Sequence, residues 1–240
     1  TNWKEQVAST DYMTTTIDYA CLTKVAFEKS APSGYAKIGM LSSGISVYAN
    51  GATDIIFVYI GTIKSPENSS SLFEGLVKLE SITFSNFDTS DTTNMNAMFL
   101  LSTQRGSLNA IVGALIIDEY NTTLENLDLS MFDTAKVTDM GYMFYGNQGL
   151  KTLNLSSFNM ESVEYSLNML YFSTAQIEEI RLPYNNKEEI QITSSSTLKD
   201  ESGNTVSSVP ANNVEGMTYT KPIKKIKITF QLNASFMITN

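Results

Sequence analysis

The chain has 240 residues, 42% of them hydrophobic, with 16 Lys plus Arg against 25 Asp plus Glu and a formal charge of −9. That length can bury a substantial core in one or two domains, and the acidic balance argues against nucleic acid or anionic lipid as partners, which need a positive field. Histidine is absent and Cys21 is the single cysteine, which removes Ser-His-Asp triads, Cys-His pairs, imidazole-bound zinc and any internal disulfide.

The start, Thr1-Asn2-Trp3-Lys4, lacks an initiator Met and a signal peptide and reads as a processed or truncated chain from which any export signal has been removed. Trp3 is placed to anchor a short leading helix, and Cys21 reads as a small buried filler. Residues 23–27, 46–48 and 54–59 read as strands, with the turn former Asn50-Gly51 between the last two. Residues 1–61 are therefore expected to form a β-rich N-terminal cap. The sequons at Asn68 and Asn121 read as ordinary surface turns.

Residues 62–189 carry a repeat. Residues 79–99, LESITFSNFDTSDTTNMNAMF, align with 124–144, LENLDLSMFDTAKVTDMGYMF, at an offset of 45, and a further copy starts at Leu150 with an offset of 26. Leu72-Phe73 lies 26 residues before Met98-Phe99, and a fourth copy opens at Ile177 and breaks at Pro183. The unit is about 26 residues, and the longer offset is one unit plus 19 inserted residues, assigned to 100–120 with the apolar stretch 110–117 inside. Within each unit, L-x-x-L-x-L gives a short strand with one buried face. Phe132 then fills the interior, and Asp133 and Thr134 bond nearby backbone. Thr138 or Asp139 would cap a short helix that puts Met140, Met143 and Phe144 on one face. No unit can bury its apolar face alone, so units must stack, with Phe87, Phe132 and Phe158 in one column and Met98, Met143 and Met169 in another. The third copy, with Asn159-Met160 for Asp-Thr, suggests a distorted turn.

Residues 190–240 are expected to close the array. Residues 190–220 are rich in Ser, Thr and Asn and read as short strands and loops, and 221–232, KPIKKIKITFQL, reads as a terminal strand with Lys225 and Lys227 outward. No apolar run approaches the roughly 20 residues needed to cross a bilayer as a helix, so no direct membrane insertion is expected.

Residues 79–183 resemble the BspA-type leucine-rich repeat family of bacterial surface proteins, most closely at 124–144. The resemblance implies an α/β fold: a leucine-rich-repeat solenoid of three to four turns, with parallel strands, short helices and β-rich caps at both ends. It also implies a secreted or cell-surface protein and carries no catalytic residue onto this chain. With no phosphate loop, EF-hand spacing or nucleophile motif in the sequence, we expect no enzyme activity, no cofactor and no metal. The expected function is recognition, through adhesion to a host or bacterial surface protein or to a glycan. The alternative is a structural spacer that displays another domain. The outward positions of the strands, Ser81, Thr83, Asn126, Asp128, Thr152 and Asn154, together with the insertion 100–120, are the candidate ligand surface.

Overall fold

A computed structural model describes residues 19–41, 43–102, 119–172 and 174–222. Trp3, residues 103–118 of the insertion with their apolar stretch 110–117, and all but the first two residues of the expected strand 221–232 lie outside the described residues. The chain enters through a 3₁₀ turn, Tyr19–Cys21, whose last residue is exposed rather than buried; the next residue, Leu22, takes the interior position instead.

Four strands follow: β1 (Lys24–Glu28), β2 (Ala36–Met40), β3 (Ser46–Asn50) and β4 (Asp54–Val58). The last three form an antiparallel meander, and β4 returns to pair parallel with β1. Strand β2 escapes the alternation test because Gly39 and an irregularity between Lys37 and Gly39 interrupt its period. The stack then runs through β5 (Ile63–Lys64), β6 (Ser81–Thr83), β7 (Phe87–Asp88), β8 (Asn126–Asp128), β9 (Thr152–Asn154), β10 (Leu170–Tyr171) and β11 (Glu179–Arg181). Strands one coil apart pair parallel: β1 with β6, β5 with β7, β8 with β9, and β9 with β11. The chain closes with β12 (Ile190–Thr193), β13 (Leu198–Lys199), β14 (Thr205–Val206), β15 (Ser208–Val209) and β16 (Thr218–Thr220). Of these, β16 runs antiparallel to β11 and ends its sheet's parallel run.

The architecture is a β-solenoid, not an α/β leucine-rich-repeat solenoid. Where the sequence suggests a short helix after each Asp-Thr corner, the described chain is extended or in single turns. The backbone hydrogen bonds explain why. An α-helix needs each amide for a carbonyl four residues earlier. Here the amides of Met140, Tyr142 and Phe144 donate instead to Tyr165, Leu167 and Met169 of the next coil, at 2.8, 2.9 and 3.2 Å. Met95, Ala97 and Phe99 do the same with Asp139, Gly141 and Met143. One residue in each of these segments stands in the left-handed region: Ser71, Ala97, Tyr142 and Asn168, at φ 53–56°. A left-handed residue ends any helix, so Met140, Met143 and Phe144 reach the core from turns.

The core is a set of columns along the axis. Phe87 and Phe132 have centroids 5.9 Å apart and Phe132 and Phe158 6.3 Å apart, while Phe73, Phe99 and Phe144 stack at 5.2 and 5.9 Å. Corners are held by side-chain acceptors. Asp88, Asp133 and Asn159 each accept the amide two residues on, at 2.9, 3.0 and 3.1 Å. The third-copy corner is thus not distorted: Asn159 does the work of the aspartates, and Met160 enters the core where Thr89 and Thr134 bond the next coil.

Asn121 is fully buried, not a surface turn: its Nδ2 donates to the Leu79 and Leu76 carbonyls and its Oδ1 accepts the Thr123 and Leu124 amides. This network marks a seam. In other coils the carbonyl before the strand accepts two amides of the next strand: Glu125 from Lys151 and Thr152, Lys151 from Glu178 and Glu179. Between the neighbouring strands β6 and β8, which share no ladder, the Asn121 amide and the Thr123 hydroxyl reach the Leu79 carbonyl instead, both at 2.8 Å.

Three outcomes follow from this packing. Phe132→Ala empties a site bordered by Phe84, Phe87, Phe99 and Phe158 and should cost about 3–5 kcal/mol in urea unfolding, with Phe132→Leu costing less. At Gly149 a Cβ would lie 2.5 Å from the Thr122 carbonyl oxygen and 2.8 Å from the Thr123 nitrogen. Both are backbone atoms, so Gly149→Ala should lower stability by about 3 kcal/mol by the same measurement. Lys136 and Lys64 donate to the Asp91 carboxylate at 2.8 and 2.5 Å and hold its pKa at about 2. A carboxylate held below its ordinary value contributes stability above about pH 4 and loses it as the pH falls toward 2. Carboxyl NMR titration should therefore find Asp91 near the bottom of that window and find it raised by Lys136→Met.

Candidate functional site

Alternation along each short strand points one set of side chains into the core and the next outward. Leu127, Leu153 and Ile180 are the buried middle residues of β8, β9 and β11. Their neighbours therefore make one outward face. In register, Asn126 faces Thr152 and Asp128 faces Asn154, and beyond them stand Glu179 and Arg181. These residues line a shallow open depression of about 230 Å³.

The depression joins four of the six residues singled out in the sequence: Asn126, Asp128, Thr152 and Asn154. Ser81 and Thr83 stand apart on β6, across the seam, where Thr83 donates to the Glu28 carboxylate at 3.4 Å. Glu179 and Arg181 complete the depression and were not among the candidates. The signal for them is the fourth copy, Ile177-Glu178-Glu179-Ile180-Arg181-Leu182, in which they occupy the same outward positions.

Internal bonds hold this face in place. The Thr152 hydroxyl donates to Asn126 Oδ1 at 2.7 Å, and Arg181 Nε to Glu179 at 3.0 Å. Asp128 and Asn154 each use one side-chain oxygen to accept an amide two residues on. Beside the depression, the Glu125 carboxylate accepts from Lys151 and raises that ammonium's pKa above its ordinary range. The Asn126 and Asn154 amide groups, the rest of the Arg181 guanidinium and the second Asp128 oxygen remain as donors and acceptors. Such a set can bind hydroxyls and amides. Among the described residues no group of three or more His, Cys, Asp and Glu could hold a metal ion, and no helix is long and apolar enough to cross a membrane.

A second outward face was missed by sequence reasoning. Tyr142, Tyr165 and Leu167 are 37%, 66% and 64% exposed on adjacent coils, with Tyr145 and Tyr171 half-buried beside them. Tyr145 and Tyr171 stack at 5.1 Å, and Tyr142 meets Tyr145 edge-on at 6.1 Å. Tyr145 and Tyr171 lie one 26-residue unit apart, which is the signal in the sequence that could have paired them; Tyr165 and Leu167 follow only from the pairing of adjacent coils.

The chain matches the family described as "Mycoplasma protein of unknown function, DUF285" over residues 62–110 and 117–197, more than half its length, and belongs to that family. This corrects the resemblance to BspA-type leucine-rich repeats, since the coils form a β-solenoid without that fold's helices. No curated protein and no solved structure matches the chain.

Proposed function

We propose that this member of the family is a secreted or cell-surface recognition module of a bacterium, binding a host or bacterial surface protein or a glycan in adhesion. The depression over β8, β9 and β11 carries the reading. It brings Asn126, Asp128, Thr152, Asn154, Glu179 and Arg181 onto one side of a stacked sheet. Hydroxyl-rich and amide-rich ligands are recognised by such planar amide, carboxylate and guanidinium groups. The ladder beneath fixes their spacing before any ligand arrives, which lowers the ordering cost of binding.

The test is a binding screen of the whole chain against a glycan array and immobilised matrix proteins. It is repeated with Asp128→Asn, which keeps an oxygen to accept the Ser130 amide while removing the charge, and with Arg181→Ala. A specific ligand should emerge, and each variant should weaken it about tenfold, as expected for loss of a hydrogen bond to a charged group. A chain that binds nothing in either screen, or whose ligand ignores both variants, would overturn the reading and leave the spacer role in its place.

A further inference from the structure

Each strand beneath the depression carries two outward side chains, and their bonds within the protein leave one donor and one acceptor on every rung. On β8, Asn126 Oδ1 accepts the Thr152 hydroxyl at 2.7 Å, which leaves the Asn126 amide N–H groups, and Asp128 holds the Ser130 amide with one oxygen and leaves the other. On β9, the Thr152 hydroxyl has given its proton to Asn126 and can only accept, while Asn154 Oδ1 accepts the Ser156 amide and leaves its N–H groups. On β11, Arg181 Nε donates to one Glu179 oxygen, which leaves the second oxygen and the terminal guanidinium nitrogens. The rungs stand about 4.8 Å apart, the spacing of paired strands.

This pattern selects among ligands. Protein partners are held by buried aromatic and apolar anchors, and Leu127, the apolar residue of the lining, is 2% exposed. An extended peptide advances about 3.3 Å per residue and falls out of step with the rungs. A hydroxyl gives and takes a hydrogen bond at once, so it suits a donor and an acceptor side by side. Charge narrows the choice further. Lys151 pairs with Glu125 and Arg181 with Glu179, while Asp128 and Glu178 have no ion pair among the described residues. The uncompensated charge is negative and opposes carboxylated or sulfated sugars. We infer that the depression takes a neutral oligosaccharide extended along the solenoid axis, with one pyranose ring on each of β8, β9 and β11. The inference rests on the recognition role proposed above and names its ligand. An extended chain of β-linked pyranose rings advances by close to one coil spacing per ring, so the hydroxyls of successive rings meet successive rungs.

The experiment titrates the whole chain by calorimetry with neutral β-linked oligomers of glucose, N-acetylglucosamine and mannose, two to five rings long, and with a uronic acid oligomer for comparison. At least one neutral series should bind, its affinity rising about tenfold from two rings to three and levelling beyond, as a third rung is engaged. The uronic acid oligomer should bind at least about tenfold more weakly, and Asp128→Asn should narrow that gap. Asn126→Ala and Asn154→Asp each remove a free donor and should weaken the neutral oligomer about fivefold. Asn154→Asp keeps the oxygen that holds the Ser156 amide, so the turn survives the change. No binding by any neutral series, preference for the uronic acid oligomer, no gain from two rings to three, or binding that ignores both asparagine variants would overturn the inference. A matrix protein bound by the chain and lost with Asp128→Asn and Arg181→Ala, while the neutral oligomers do not bind, would overturn it and leave the recognition role standing.

Discussion

The structure depends on one pattern of hydrogen bonding, in which amides of one coil reach carbonyls of its neighbour. Ser71, Ala97 and Tyr142 each donate to the coil that follows, to Asn96, Gly141 and Leu167, all at 2.8–2.9 Å. Parallel strands joined this way lie about 4.8 Å apart, so residues one repeat apart sit nearly atop one another. Phenylalanine then packs on phenylalanine and methionine neighbours methionine. Apolar burial stabilises such a core only collectively, since each coil leaves both of its broad faces open without its neighbours.

The repeat pitch was legible because it rests on side-chain identity. Phe87, Phe132 and Phe158 carry the spacing, and they pack in one column. The helix was not legible, because M-x-x-M-F fits the helical period as well as it fits a run of turns. What separates the two is where the backbone amides bond, and side-chain spacing does not encode that. The left-handed residue would have been a clue had it been glycine, but Ser71, Ala97, Tyr142 and Asn168 give little warning. Asn121 misled for a related reason. A polar residue in a Thr-rich stretch resembles a surface turn, yet here it spends its amide on buried carbonyls of the coil before.

The two outward faces differ because the same geometry meets different residues. On the strand side the outward positions hold Asn, Asp, Thr, Glu and Arg, which satisfy one another locally and leave a polar floor. On the other side they hold tyrosines and a leucine, whose rings pack on one another rather than exchanging hydrogen bonds. The candidate list found most of the first face, because strand alternation identifies outward positions directly. The second needed the backbone pairing of adjacent coils, which sets Leu167 against Tyr142.

The seam between β6 and β8 also gives the solenoid an uneven mechanical character. Elsewhere on the strand side adjacent coils are zipped by backbone, which no substitution short of proline removes. Among the described residues, the strand side of that junction is tied by side chains, Asn121 Nδ2 to the Leu76 and Leu79 carbonyls and the Thr123 hydroxyl to Leu79. A pull that splays the strands apart should open a crack there first, hinging on the ladder that Met95, Ala97 and Phe99 keep on the opposite side.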